Sequence, residues 1–521
     1  MKYIMFQGTS SHVGKSILNA AVCRILYRDG KSCMPFKAQN MALNSYVTRS
    51  GGEMGRAQVV QAEAAGMSPM VEMNPVLLKP TGNACSQVIL RGVPYGNMSA
   101  REYHEGYSLK AFEVVKECLA DIRRDRMADI LVIEGAGSPA EVNLKDTDIV
   151  NMRIAKYLNA PVILIGDIDR GGCLASLVGT LELLDPDERD LVKGLIINKF
   201  RGDVTLLKPA IDFLEKKTGK PVLGVIPAID DLGIDDEDSV SLAGKSTHKE
   251  KADLVLAVLR TPKMANFTDF DSLADEPDVQ FIYVQPGEPI PENADMILLP
   301  GSKNTTDDMA YLRENGYEAE ILKRVKAGTP VVGICGGYQM LGQIVRDPDH
   351  TENEERDEIR GMGLLNTSTL FVGDKVMHQV TGRCHIRNFL GKSFDFDGIY
   401  GYEIHMGRTT FGDEENGNAE SVDHPFTIET RSGEKVDLED GLVSKDGLVL
   451  GTYIHGCFDH DGFRRAVLNA LRERKGLGPL PVTFSLMQKK QESYDRLAEI
   501  VRANIDMDLL YRIIDESEDG I

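Results

Sequence analysis

Two groups of residues in this chain have the types and spacing to do chemistry. Residues 8–16 read GTSSHVGKS, between a short apolar run at 3–6 and a helical pattern that begins at Ile17 and Leu18. Gly8 and Gly14, with Thr9 inside the loop, let backbone N–H groups curl around phosphate oxygens, and the helix start adds the positive end of its dipole. Lys15 is placed to neutralise a transferring phosphoryl group, and the Ser16 hydroxyl to bind Mg2+. The ordinary phosphate loop is GxxxxGK[ST]; here five residues separate Gly8 from Gly14, one more than usual. Glu134 follows the apolar run 130–133 and offers Mg2+ a hard oxygen ligand at a sheet edge. Asp167 and Asp169, in GDIDRGG, are candidates of the same kind. The pattern calls for ATP and Mg2+ and for no prosthetic group.

The second group is built around a thiol. The apolar run 331–334 leads into Cys335-Gly336-Gly337-Tyr338-Gln339, and Met340 and Leu341 then open a helical pattern. Strand, sharp turn with small neighbours and helix form the elbow that exposes a nucleophile. Backbone amides of such a turn, Gly336 among them, face a developing oxyanion, and a helix start favours the thiolate. A buried structural Cys is the competing reading, and the glycines at a strand end argue against it. The base must be a His from elsewhere in the chain. His455, in GTYIHGCF, follows the run 448–454 beside a glycine turn and is preferred. His405, in GYEIHMG, either lines the same pocket or caps a strand. Gly301 and Ser302, after the run 296–299, supply amides to complete the oxyanion hole.

Both groups sit at ends of predicted strands. Apolar runs at 3–6, 130–133, 162–165, 195–197 and 222–226 alternate with helical segments, and a second series follows at 254–259, 281–284, 296–299 and 331–334. Buried strands alternating with helices indicate parallel sheets covered on both faces. The expected fold is α/β with two doubly wound parallel-sheet domains: 1–230 around the phosphate loop and 254–475 around the thiol. The polar, charge-dense stretch 231–253 is the expected linker, and 476–521 a helical extension packing on the second domain. A further charge run at 347–360 reads as a solvated loop.

Composition restricts the partners. Lys plus Arg number 59 and Asp plus Glu 80, for a formal charge of −21, a field that repels nucleic acid and anionic membranes. Any anionic substrate must be held by local basic clusters. Eight scattered Cys without metal-finger spacing read as reduced thiols. The N-terminus lacks signal-peptide features, and no apolar stretch is long enough to span a membrane. Small-molecule substrates, a cytoplasmic location and compatibility with homo-oligomerisation are the expectation.

The longer loop resembles dethiobiotin synthetase and its relatives (GTxxxVGK[ST]), in which ATP phosphorylates a carboxylate or carbamate. By that resemblance Asn198, after the run 195–197, lies against adenine. The pattern PGS…GICGGYQML…YIHG resembles class I glutamine amidotransferases, which implies that Cys335 forms a thioester with glutamine, held by Gln339, and releases ammonia. In that family a Glu stands two residues after the His; here the position is Cys457, so the resemblance implies another way of orienting His455 and a modest glutaminase rate. Further blocks cover nearly the whole chain: PFKAQNMALNS (35–45), EMGRAQVVQAEAAG (53–66), MNPVLLKP (73–80), SQVILRG (86–92), EGAGSPAEVNL (134–144), INKFRGD (197–203) and NFTDFDSL (266–273). Together they resemble the cobyric acid synthase family, which amidates the b, d, e and g carboxylates of adenosylcobyrinic acid a,c-diamide with glutamine and ATP–Mg2+. The resemblance implies that Lys37, Arg56, Lys79 and Arg91 hold this cobalt corrinoid polycarboxylate, and that Gln39, Asn40, Asn44 and Gln58 bond its amides. Cobyrinic acid a,c-diamide synthase, another amidoligase of this architecture, and a phosphate-loop sensor ATPase with a degenerate glutaminase domain are the alternatives. Coupling the two sites in one chain delivers NH3 before it equilibrates with solvent as ammonium, and excluding water protects an acyl phosphate.

Overall fold

The computed structural model describes residues 1–82, 85–229, 232–235, 246–247, 249, 252–353, 355–412 and 423–517. The linker expected at 231–253 falls largely outside them. The chain divides into two units. The first comprises Met1–Ala42, Met54–Asp235 and Lys489–Ile521; the second comprises Leu43–Glu53 and Asp236–Gln488.

The first unit is built on a six-stranded, all-parallel sheet in the order Val222–Pro227, Val192–Phe200, Val162–Asp167, Lys2–Gly8, Ile130–Glu134, Cys33–Phe36. Its central strands are apolar almost without interruption, as a sheet covered on both faces requires. Register brings the chemistry to one edge: Phe6 pairs with Glu134, Gly8 with Ile165 and Asp167 with Asn198. The sequence reading did not single out Cys33–Phe36, the edge strand that leads into Lys37. A smaller sheet joins Gln39–Met41, Val76–Gly82, Cys85–Leu90 and Val93–Ser99.

The second unit has its own six-stranded sheet, ordered Val279–Val284, Leu254–Leu259, Met296–Leu299, Val331–Ile334, Val449–Thr452, Leu442–Val443, parallel except for the last pair. Beside it lies a mixed sheet around the long hairpin Thr367–Phe389 and Lys392–Phe411. The expected pair of doubly wound parallel sheets is therefore present, with this mixed sheet in addition.

Three expectations differ from the structure. Of the expected extension 476–521, residues 476–488 belong to the second unit, but the tail from Lys489 does not. Tyr494, Leu497, Val501, Leu510 and Ile513 enter the apolar core of the first, with Ile4, Phe6, Val132 and Ile163, and Asp495 pairs with Arg24 at 2.8 Å. Helical spacing defines a buried face but not the surface it meets. Conversely, residues 43–53 leave the first unit, and Tyr46 and Val47 pack with Tyr402 and Ile404 of the hairpin. The charge run at 347–360 is not uniformly solvated: Asp347 is fully buried and accepts bonds from the backbone N–H groups of Thr351, Glu352 and Asn353 at 2.7–2.9 Å. Among the described residues no helix is long and apolar enough to cross a membrane.

If the tail contributes to the first core, Leu497→Ala (fully buried) should lower unfolding free energy by about 2–5 kcal/mol. Leu206→Ala, at a position 80% exposed, should change it by less than about 0.5 kcal/mol. Denaturant titration of the two variants checks this.

Candidate active sites

In the first unit the loop after Lys2–Gly8 is pinned on both sides. Thr9 N–H donates to Ile165 C=O at 2.9 Å, and Asn198 Nδ2 donates to Val13 C=O at 2.7 Å. Gly14 has φ 97°, and a Cβ there would fall 2.3 Å from Asn198 Nδ2, so both backbone and space demand glycine. Helix Lys15–Arg28 starts directly behind it. Lys15 is buried and donates to Ser10 C=O at 2.9 Å and Gly137 C=O at 3.1 Å, bridging the loop and the EGAG turn. Asn198 thus touches the loop backbone.

Glu134 is the hub of this site. Its carboxylate accepts bonds from Ser16 Oγ (2.8 Å), Lys37 Nζ (2.9 Å), Gln61 Nε2 (2.6 Å) and Gln58 Nε2 (3.4 Å). Burial alone would raise its pKa, but the Lys37 ammonium, with the bonds from Gln61 and Ser16, outweighs that and holds it below the usual carboxylate range. Ser16 Oγ and an ionised carboxylate are hard oxygen donors of the kind Mg2+ takes alongside water and phosphate oxygens, so the residues present fit that ion.

The substrate candidates Lys37, Arg56 and Lys79 are all buried rather than solvent-facing surface charge. Lys37 is engaged with Glu134. Arg56 faces Asp235 at 3.7 Å, Asn40 Nδ2 donates to Gln58 Oε1 at 3.0 Å, and Gln39 Oε1 accepts from Tyr103 OH at 2.6 Å. Asn40 is thus linked through Gln58 to Glu134. Arg91 instead pairs with Asp121 at 2.7 Å, and Asn44 belongs to the second unit. Asp167 pairs with Lys199 at 2.9 Å and Asp169 with Arg201 at 3.3 Å. Gln61 was not foreseen; its signal is that it stands one helical turn after Gln58 in helix Arg56–Ala64, both of them polar among buried residues.

In the second unit Cys335 stands between strand Val331–Ile334 and helix Gly336–Leu341 with φ 54°, the strained elbow expected of a nucleophile. Its N–H donates to Thr452 C=O at 2.8 Å, three residues before His455, and its thiol approaches Ile404 C=O at 3.6 Å. A Cβ on Gly336 would meet Ser302 N at 2.7 Å, so the elbow and the 301–302 turn are packed backbone to backbone. Ser302 Oγ donates to Asp308 Oδ2 at 2.6 Å; burial pushes Asp308 up to about 6 despite that bond and one from Thr261. The Gln339 amide is held at both ends, accepting from Thr305 Oγ1 at 3.0 Å and donating to Tyr453 OH at 3.1 Å. The Cys335, Gly301, Ser302, Gly336, Gln339 and His455 positions are thus brought together.

His405 lines the same region in a different role. Its ring stacks on Tyr453 at 3.8 Å, and its Nδ1 bonds Gly407 C=O at 2.8 Å. His455 is fully buried; its Nδ1 lies 2.7 Å from Asp269 Oδ2, a residue the sequence reading had not assigned. Cys457 does leave the usual acidic position empty of acid, but His455 is not without a carboxylate. Burial pulls the imidazole pKa down, yet the charge and bond of Asp269, with the Cys335 thiol facing it, raise it to about 10. The available signal for Asp269 was its place in the NFTDFDSL block, directly after strand Met264–Ala265, which pairs antiparallel with Gly301–Ser302.

The packing at Gly336 yields a test. Gly336→Ala should displace the Ser302 amide and lower glutamine hydrolysis by about 10²–10³-fold, the range for loss of one oxyanion donor. Nucleotide binding by the first unit, followed by calorimetry, should be unchanged.

Two family models match the chain: the CobQ/CobB/MinD/ParA nucleotide binding domain over residues 4–241 and the CobB/CobQ-like glutamine amidotransferase domain over residues 255–463. Among curated relatives, cobyric acid synthase of Pelotomaculum thermopropionicum is 50% identical, the match covering 98% of this chain and 96% of that one. That of Carboxydothermus hydrogenoformans is 49% identical over 98% and 99%, and that of Desulforamulus reducens 49% over 98% and 98%.

Proposed function

The chain belongs to the cobyric acid synthase family, and on that premise we propose how its residues carry out a glutamine- and ATP-dependent carbon–nitrogen ligation. The substrate is a corrinoid polycarboxylate, adenosylcobyrinic acid a,c-diamide, amidated at its b, d, e and g side chains. The observation that carries the reading is the Cys335 elbow facing buried His455 in a chain that also holds a phosphate loop beside a buried carboxylate.

At the thiol, His455 Nε2 takes the Cys335 proton and the thiolate attacks the carboxamide carbon of glutamine. The amides of Gly301, Ser302 and Gly336 receive the oxyanion, and the fixed Gln339 amide orients the substrate. The imidazolium returns its proton to the departing nitrogen, the C–N bond breaks, and NH3 leaves. Water, deprotonated by His455, then hydrolyses the thioester to glutamate and free thiol.

In the first unit, Gly8, Thr9, Gly14 and Lys15 cradle the phosphates of ATP, and Asn198 lies toward the base. Ser16 and Glu134 would hold Mg2+, which supplies charge neutralisation on the phosphates. Lys37, Gln39, Asn40, Arg56 and Lys79 orient the corrinoid carboxylate and its amides. Lys37 sits where it can exchange Glu134 for an anionic phosphoryl or carboxylate group. The carboxylate oxygen attacks the terminal phosphorus of ATP, ADP departs, and NH3 displaces phosphate from the acyl phosphate. The chain's free cysteines, most of them buried, suit a reduced, cytoplasmic setting.

Cys335→Ala should abolish glutamine-driven amidation and spare amidation with high ammonium; Lys15→Ala should stop both. Mass spectrometry of the corrinoid product, with glutamine, ATP and Mg2+, should display a ladder ending at four added amides. ATP hydrolysis without any amidation would refute the substrate assignment.

A further inference from the structure

The NFTDFDSL block has no part in the roles above, yet its fourth residue touches the catalytic imidazole. Residues Phe267–Phe270 form one 3-10 turn after Asn266, which adopts φ 52°. That turn delivers Asp269 with both carboxylate oxygens engaged on the His455 segment. Oδ2 lies 2.7 Å from His455 Nδ1, and Oδ1 accepts from Gly456 N–H at 3.0 Å. Both side chains are excluded from solvent. We propose that Asp269 is the positioning acid of the glutaminase, supplied from a turn far upstream in place of the residue two after the histidine.

The electrostatics require such a group. A neutral imidazole has one N–H and one acceptor nitrogen, and the partner of one selects the role of the other. With Nδ1–H donated to Asp269, Nε2 is the basic nitrogen; among the described residues it has no hydrogen-bond partner besides the Cys335 thiol. Once Nε2 takes the thiol proton, the imidazolium is buried, and a buried cation without a counter-charge is costly. Asp269 is that counter-charge. Cys457 cannot replace it, because burial, followed by the nearby Asp269 and Asp459 charges, pushes its thiol pKa well up. The titratable groups facing the imidazole are Asp269 from the turn, Cys335 from the elbow and the Tyr402 ring, stacked on it at 5.0 Å, from the hairpin.

The turn is held by a closed circuit within the second unit. Asn266 Oδ1 accepts from Ser45 N–H at 3.0 Å, and Ser45 C=O accepts from Tyr402 OH at 3.2 Å. Tyr402 in turn exchanges backbone bonds with His455, N–H to C=O at 3.2 and 2.9 Å. Asp269 N–H donates to Asn266 C=O, closing the loop. Residues 43–53 therefore contribute to the placement of both members of the His455–Asp269 pair.

This inference rests on Cys335 and His455 as the glutaminase pair, and its test separates the two. Asp269→Asn keeps the volume but loses the charge and offers an N–H where one of two acceptors is needed. Its kcat for glutamate release should fall about 10²–10⁴-fold, with the KM for glutamine changed less than about threefold and ammonium-driven amidation retained. The alkaline limb of its pH–rate profile should move to lower pH, because an imidazolium without Asp269 loses its proton earlier. Alkylation of Cys335 by iodoacetamide at neutral pH should slow in step, since the thiolate loses a protonated neighbour. Asn266→Ala, which loosens the turn and keeps the charge, should lower kcat less and leave the alkaline limb in place. Full glutaminase activity in Asp269→Asn, an unmoved limb, or equal loss of glutamine- and ammonium-driven amidation would each overturn the proposal. A Cys335→Ala protein that still releases glutamate would instead defeat the underlying nucleophile assignment.

Discussion

A carboxylate buried in a protein interior must have its charge and lone pairs answered, or it protonates and ceases to be a carboxylate. Both sites of this chain are arranged around one such group. Glu134 is answered by Lys37, Ser16, Gln61 and Gln58; Asp269 by His455 and the Gly456 amide. In each case the compensating partners are themselves the proposed functional residues, so the interactions that answer the buried acid also hold those residues in position. Removing one partner of such a buried pair costs on the order of 3–5 kcal/mol, which accounts for how tightly each site is cross-linked.

The two sheets explain why these acids and their partners meet. Parallel strands end along one edge, and the register of neighbouring strands sets which residues stand side by side there: Phe6 beside Glu134, Gly333 beside Gly451 and Ile334 beside Thr452. Backbone geometry then finishes the placement. The φ of 97° at Gly14 turns the phosphate loop into its helix, and the φ of 54° at Cys335 lifts the thiol out of the sheet edge. The strain at Cys335 is sustained because strand Val331–Ile334 is wholly buried and cannot relax around it.

Much of this was legible from the residues. The apolar runs at 254–259, 296–299 and 331–334 coincide with strands, and the GKS loop, Glu134, Cys335 and His455 stand at strand ends where the pattern put them. Those features are local: a run length, a glycine and a helix start lie within about ten residues of each other. What escaped the reading is long-range. The tail residues Leu497 and Val501 have the same helical spacing whichever surface they cover, and they cover the first unit. Asp347 is a local exception: it sits in a charge run, yet residues four to six positions on fold around it and take up its carboxylate.

The sequence by itself determined the fold class and pointed to the two chemistries and the candidate residues for them, because each depends on short motifs whose geometry the backbone enforces over a few residues. Only the tertiary structure decided that Lys37 and Gln61 converge on Glu134, that residues 43–53 belong with the thiol unit, and that His455 has a carboxylate despite Cys457. Asp269 and His455 lie 186 residues apart. No periodicity or spacing links such positions; their contact follows from strand register and a turn anchored by Asn266 and Ser45, which exist once the whole unit has packed.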